Sequence, residues 1–233
     1  MRVVAQLLVC LALVPPLAAQ QSWRQHVDPR RVAARSDSFT VLLRGAVGGF
    51  DRLTVARDGA QWVLSDEVQL DRMGGQRSTI RFSEALVEHA LRQEGKFGTV
   101  DMRIALDRAS GRMSGTALTP TGGPAPVAID AAAGDDVIDD NAVVQVLPFI
   151  AWREGLSVVI PVLKSGKGTV SDQVVTVTGR GATTVPAGTF DTWKLGVSDG
   201  GRTWLVADVT TTAPYRVVRM SPGGGGMDMQ LVK

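Results

Sequence analysis

Residues 156–178 read LSVVIPVLKSGKGTVSDQVVTVT, and this stretch decides the fold class. Leu156, Val158, Ile160 and Val162 recur at every second position, which sets them on one face of an extended strand. Ser165-Gly166-Lys167-Gly168 reverses the chain, and Val174 to Thr178 supply the next strand. An amphipathic helix needs apolar residues near every 3.6 positions, and that period is missing here.

The same period of two runs outward in both directions. Toward the C-terminus, Trp193, Leu195 and Val197 share a face, and Asp199-Gly200-Gly201 marks a hairpin. Trp204 and Val206, Tyr215 to Met220, and then Met227, Met229 and Leu231 continue the pattern. Pro222 and the tract Gly223 to Gly226 between the last two runs read as a flexible crossover. Toward the N-terminus, Phe39, Val41 and Leu43 alternate with Thr40, Leu42 and Arg44. Trp62, Leu64, Asp66, Val68 and Leu70 share one parity, as do Met102, Ile104 and Leu106. Gly48-Gly49, Asp58-Gly59 and Ala109-Ser110-Gly111 read as turns. Turns at intervals of roughly 8–14 residues predict a mainly β single domain, a curved antiparallel sheet or half-barrel.

Three segments depart from the pattern. Asp139-Asp140-Asn141 before Ala142, Val143, Val144, Val146 and Leu147 is a capped helix start, and Pro148 ends it. One short helix is expected near 140–147, with room for a second elsewhere. Residues 119–136, rich in Pro, Gly and Ala, predict the longest loop. Residues 83–94 carry helix formers with Leu86, Val87, Ala90 and Leu91 as a stripe, yet lie among strands. Helix and strand both stay open there, with the β context favouring strand.

The N-terminus reads as a targeting segment. Arg2 precedes an apolar run from Val3 to Val14, then Pro15-Pro16 and the small residues Ala18 and Ala19. That order is a secretory signal peptide over residues 1–20, and the run is short of the ~18 apolar residues of a spanning helix. Cys10 lies inside that run, so the mature chain has no cysteine and no disulfide. A periplasmic or secreted location is expected. Residues 21–37 are polar with a central Pro29 and read as a flexible lead-in to a β domain over 38–233. Arginines and acids are interspersed and the net charge is only +2, so no nucleic-acid footprint appears. A transmembrane β-barrel is disfavoured by a single tyrosine and by alternating runs that read as too short for lipid.

Catalytic chemistry finds no constellation. The only histidines are His26, in the lead-in, and His89, whose one neighbouring acid is Glu88. No Gly-x-Ser-x-Gly elbow occurs. Gly166-Lys167-Gly168-Thr169 lacks the earlier glycine and the helix of a phosphate loop. The acidic run Asp135 to Asn141 lacks calcium-loop spacing and reads as a solvated loop whose last acid caps a helix. No cofactor and no metal are expected. The aromatics remain: Trp62, Phe149, Trp152, Trp193 and Trp204 pack a β core or line a hydrophobic cavity, and both readings stand.

The stretch Thr184-Val185-Pro186-Ala187-Gly188-Thr189-Phe190-Asp191-Thr192-Trp193 is followed by Thr203-Trp204-Leu205-Val206 and by Ala213-Pro214-Tyr215-Arg216. This order resembles the C-terminal half of DUF3108-type envelope proteins, a family of unknown function. Asp139, Asn141, Val143 and Leu147-Pro148-Phe149 resemble that family's short helix and the step after it. The resemblance implies a curved antiparallel sheet, and a likeness to the half-barrels of lipoprotein carriers, which hold acyl chains in a concave apolar face. It brings no catalytic residues. Export, the apolar sheet faces and this likeness together point to a hydrophobic small molecule or lipid, with the five aromatics as candidate contacts, and the absence of a legible site leaves as the alternative another envelope protein held by a sheet face or edge.

Overall fold

The computed structural model describes residues 21–120, 123 and 125–233. The signal-peptide reading of residues 1–20 lies outside the described residues. In chain order the strands are β1 (Gln21–Ser22), β2 (Arg35–Leu43), β3 (Ala46–Asp58), β4 (Gln61–Leu70), β5 (Gly74–Phe82) and β6 (Glu88–Phe97). There follow β7 (Val100–Ala109), β8 (Arg112–Leu118), β9 (Val127–Ala132), β10 (Ile138–Asp139) and β11 (Ser157–Lys164). The chain finishes with β12 (Thr169–Val185), β13 (Gly188–Asp199), β14 (Arg202–Thr210), β15 (Val217–Pro222) and β16 (Met227–Leu231).

All of these strands share one sheet. β2 to β9 form one antiparallel meander, and β11 to β16 form another. The two join where β16 lies antiparallel to β2, with Leu231 opposite Phe39. The sheet curves without closing, so it keeps two edges, β9 and β11. The β11 edge is covered by two short parallel partners. β1 pairs along Val158 and Val159, and β10 along Val162 and Leu163. Covering an edge in this way removes a template for pairing with other chains. Strong curvature is possible where glycine lets neighbouring backbones close up. A Cβ on Gly74 (φ +104°) would stand 1.9 Å from the Lys96 carbonyl oxygen.

The concave face is filled by the expected helical segment. A 3-10 turn at Asp140–Ala142, the helix α1 (Val143–Val146) and a second 3-10 turn at Leu147–Phe149 follow one another. Val143, Val146, Leu147 and Phe149 are fully buried against Leu64, Leu91, Leu106 and other inward residues of the sheet. The cap is as the sequence suggests, with the Asn141 N–H donating to Asp139 Oδ1 at 2.9 Å.

Several expectations are corrected. Residues 21–37 are not a loose lead-in. Trp23 is wholly buried in a 3-10 turn, its Nε1 donates to the Asp136 carbonyl at 2.9 Å, and β2 already begins at Arg35. Local polarity hid one large apolar anchor. Gly48-Gly49 lies inside β3 at a register shift, and the turn is Arg44-Gly45, both with positive φ. The 119–136 region contains β9, whose Ile129 and Ala131 point inward. Gly223 to Gly226 is the turn of the β15–β16 hairpin, not a crossover. Residues 83–94, left open with strand favoured, turn until Val87 and are strand from Glu88. The acidic run is not fully solvated, because Asp139 is completely buried.

Strands also run longer than their alternating stretches, up to 17 residues in β12, because bulges carry them past a break in pattern. The outward side of β3 to β9 is charged. Arg92–Asp107, Arg77–Glu67, Arg81–Asp58 and Arg112–Asp130 pair across it at 2.6–2.8 Å. A lipid-facing band is apolar, and this face is not. Among the described residues no helix is long and apolar enough to cross a membrane.

Because Trp23 ties the N-terminal turn to the filling segment, Trp23→Ala should cost about 3–5 kcal/mol in urea unfolding. A cost within about 0.5 kcal/mol, the range of surface changes, would mean the N-terminal turn is not part of the folded core.

Candidate functional site

Two depressions carry apolar walls together with charged groups. The first is a groove at one end of the sheet, about 330 Å³ in volume. Val27, Pro29 and Val32 of the N-terminal turns face Trp62 of β4 and Ala85 and Leu86 of the β5–β6 turn. Local sequence explains its shape. Pro29 opens a 3-10 turn capped by Asp28, whose Oδ1 accepts from the Arg30 N–H at 3.0 Å. Leu86 sits at φ 58°, a conformation a bulky residue rarely adopts. It is held there partly by Arg24, whose guanidinium donates to the carbonyls of Ala85 and Leu86 at 2.6 and 2.5 Å. Arg57 lies 4.3 Å from the centroid of the Trp62 ring and pairs with Glu84 at 3.1 Å. The groove is thus an apolar trough with a guanidinium at its lip.

The second is a half-open cavity of about 190 Å³ lined by residues of the sheet and of the filling segment. Leu53, Val144, Leu205, Met220, Pro222 and Met229 form its apolar wall. Asp51, Asp66, Asp140, Asn141 and Trp204 bring polar groups into it. Asp51 on β3 and Asp66 on β4 occupy inward positions, because Asp51 lies opposite Val68 and Leu53 opposite Asp66. Cross-strand partners point to the same side of a sheet, so both carboxyls face in. The Trp204 Nε1 donates to Gln173 Oε1 at 3.2 Å, and Gln173 is wholly buried.

Electrostatics here are one-sided. Burial, and then the charge of Asp66, push Asp51 up to about 9. Burial also raises Asp66, to about 6. Behind Asp140 stand two more buried acids. Burial pushes Glu88 up to about 8, against the Asp139 N–H it accepts at 2.6 Å and the charge of Arg108. Asp139 is held well above the carboxylate range by burial and by the charges of Asp140 and Glu88. Asp140 is raised by burial, offset in part by Lys164 and by Ser165, whose Oγ donates to it at 3.2 Å. Arg108 does not form a contact ion pair with these acids. Its guanidinium is spent on the carbonyls of Glu88, Ala133, Gly134 and Val137.

The five aromatics read from the sequence do not meet in one site. Trp62 lines the end groove, and Trp204 lines the half-open cavity. Phe149 and Trp152 are core, with the Trp152 Nε1 donating to the Leu147 carbonyl at 2.8 Å. Trp193 is half-buried against the core and stacks under Arg180, 5.4 Å from its ring centroid. Sequence reasoning missed the acids. Asp66 stands within the apolar parity Trp62, Leu64, Val68 and Leu70, and an acid in that register was the available signal.

The raised carboxyls make stability depend on pH. In the unfolded chain these groups titrate near pH 4. In the fold Glu88 and Asp51 titrate near 8 and 9, so between these values the folded state binds more protons. Their contribution is complete below about pH 4 and is lost as pH rises through the folded values. The melting temperature should therefore rise by several degrees from pH 8 to pH 5, and Glu88→Gln should flatten that slope. A melting temperature that falls on acidification over this range would contradict the assignment.

Comparison with solved structures supports the fold. A solved structure described as a β-barrel-like protein of domain of unknown function DUF1849 from Brucella abortus superposes with a TM-score of 0.53. It is 12% identical, and the match covers 87% of this chain and 97% of that one. No curated protein shows significant similarity to the chain. The model of DUF3108, a family of proteins of unknown function, matches residues 51–231, most of the chain, and the protein is a member of that family.

Proposed function

We propose that this protein is an exported, non-catalytic binding protein of a bacterial-type cell envelope that takes the apolar part of a lipid or lipoprotein acyl chain. The observation that carries this reading is the end groove. Its roughly 330 Å³ falls within the usual range of ligand pockets. It is walled by Val27, Pro29, Val32, Trp62, Ala85 and Leu86, while the concave interior is mostly occupied by the chain's own helical segment. Arg57 at the lip suits an anionic head group beside an apolar tail. A strained Leu86 at the groove is the kind of cost that persists where a surface is shaped for a task. Export rests on the N-terminal sequence alone.

A second reading, an interaction module for another envelope protein, has one observation of its own. Val47, Met73 and Val100 are 70%, 50% and 40% exposed. They stand at neighbouring hairpin ends, where the Asp71 N–H donates to the Gly48 carbonyl and the Gly98 N–H to the Met73 carbonyl. A row of exposed apolar tips is a candidate contact strip.

Protein purified from its own envelope should begin near Gln20 or Gln21 and carry a discrete lipid mass that extracts into organic solvent. Val32→Glu should weaken binding of a fluorescent fatty acid at least about tenfold without lowering the melting temperature by more than a few degrees. A bare mass in repeated preparations, with a stoichiometric protein bound instead, would replace the first reading by the second.

A further inference from the structure

We propose that the half-open cavity between Asp51, Asp66, Asp140 and Trp204 is a binding site for a small organic cation bearing an ammonium group. The inference is independent of the end groove and of the lipid reading.

Asp51 is 4% exposed, lines the cavity, and its Oδ1 receives no hydrogen bond from any described residue. Asp66 Oδ1 on the adjacent strand likewise receives none, and the two carboxyls are close enough to interact through a shared hydrogen. A buried polar group without a partner is costly, and facing carboxylates are costlier still. A shared proton or a cation both bonds these oxygens and reduces the charge between them, which a neutral donor does not do.

The surroundings select the kind of cation. Val144, Leu205, Met220 and Met229 make an apolar wall, which a hydrated metal ion would not use and an alkyl chain would. Among the described residues no group of three or more histidine, cysteine or acidic side chains gathers as a metal site requires. Trp204 offers an aromatic face, and ammonium groups are held by such faces beside carboxylates. Its ring is oriented by the hydrogen bond to the buried Gln173. The cavity volume, about 190 Å³, limits the guest to a short amine or a single basic side chain.

One cation of the protein lies nearby. The Lys164 Nζ stands 6.0 Å from the Trp204 ring centroid and pairs with Asp199 at 3.1 Å. It moderates Asp140 but is engaged at the outer side of the tryptophan. Without a guest, the Asp51–Asp66 pair keeps one proton between its oxygens. A guest ammonium takes that place, and the proton leaves to solvent. Asp140 of the filling segment lines the same cavity, with its proton affinity raised by burial.

The test uses the mature chain in calorimetric titration and thermal melting with putrescine and tetramethylammonium, against 1-butanol and calcium chloride. At least one amine should bind and raise the melting temperature at millimolar concentration, with the alcohol and calcium inactive. From pH 8 to pH 6 affinity should fall by up to about tenfold per unit, the limit for one displaced proton. Asp51→Asn with Asp66→Asn should melt higher than the parent in buffer alone, showing that it folds, and should bind the amine at least about tenfold more weakly. Trp204→Leu should weaken binding several-fold. The proposal is overturned if neither amine binds, if the alcohol or calcium binds as well, or if the double variant keeps the parent affinity.

Discussion

A curved sheet that does not close cannot bury its inner face against itself, and the rest of this molecule follows from that constraint. Inward residues such as Leu64, Leu91 and Leu106 need a partner surface. The chain provides it from within, by threading residues 137–152 across the concave side. Val143, Val146, Leu147 and Phe149 fill the space that a closed barrel would share among its own strands. The two-residue pairing of β10 with β11 anchors the start of this path, and the bridge between Val27 and Ile150 ties its far end to the N-terminal turns.

Putting an irregular segment inside a sheet creates a demand for hydrogen bonds. Its carbonyls cannot join the ladder, and buried backbone groups must find donors. Arg108 meets this need at the segment's start, where it donates to the Val137 carbonyl and to those of Glu88, Ala133 and Gly134 beside it, and Arg24 holds the carbonyls of Ala85, Leu86 and Asp135 in the adjoining turns. Trp23 serves the Asp136 carbonyl. Arginine suits this work because one planar group carries five donors. Arg108 then makes no contact ion pair with the buried acids nearby, and its charge only partly offsets the effect of burial on Glu88. Glu88, Asp139 and Asp140 therefore sit with raised proton affinity, and Asp51 and Asp66 join them from the sheet. A purely structural interior would place apolar residues at these positions, since a buried charge without an opposite partner opposes folding.

The two depressions thus differ in origin. The end groove exists because the N-terminal turns and the β5–β6 turn cover Trp62 incompletely, leaving apolar side chains at the surface beside Arg57. The half-open cavity exists because the filling segment is too short to reach every inward residue of β3, β4 and β14. The first carries the Arg57–Glu84 ion pair at its lip. The second is lined by carboxyl groups and has an aromatic wall.

By itself the sequence determined the strands, because period-two burial and glycine turns are local properties. Leu156 to Val162, the Asp199-Gly200-Gly201 turn and the helix start capped by Asp139 were all legible for that reason. So was the general form, a curved antiparallel sheet with a short helix. What only the tertiary structure decided is which strands are neighbours across long distances and what lies under them. The pairing of β16 with β2 joins residues nearly two hundred positions apart. Trp23 looked loose because its neighbours are polar, and its burial depends on a backbone carbonyl 113 residues away. The run Asp135 to Asn141 looked solvated because charge normally seeks water. The burial of Asp139 comes from the path of that segment under the sheet, which a local window does not contain, whereas the inward register of Asp66 is a property of its own strand.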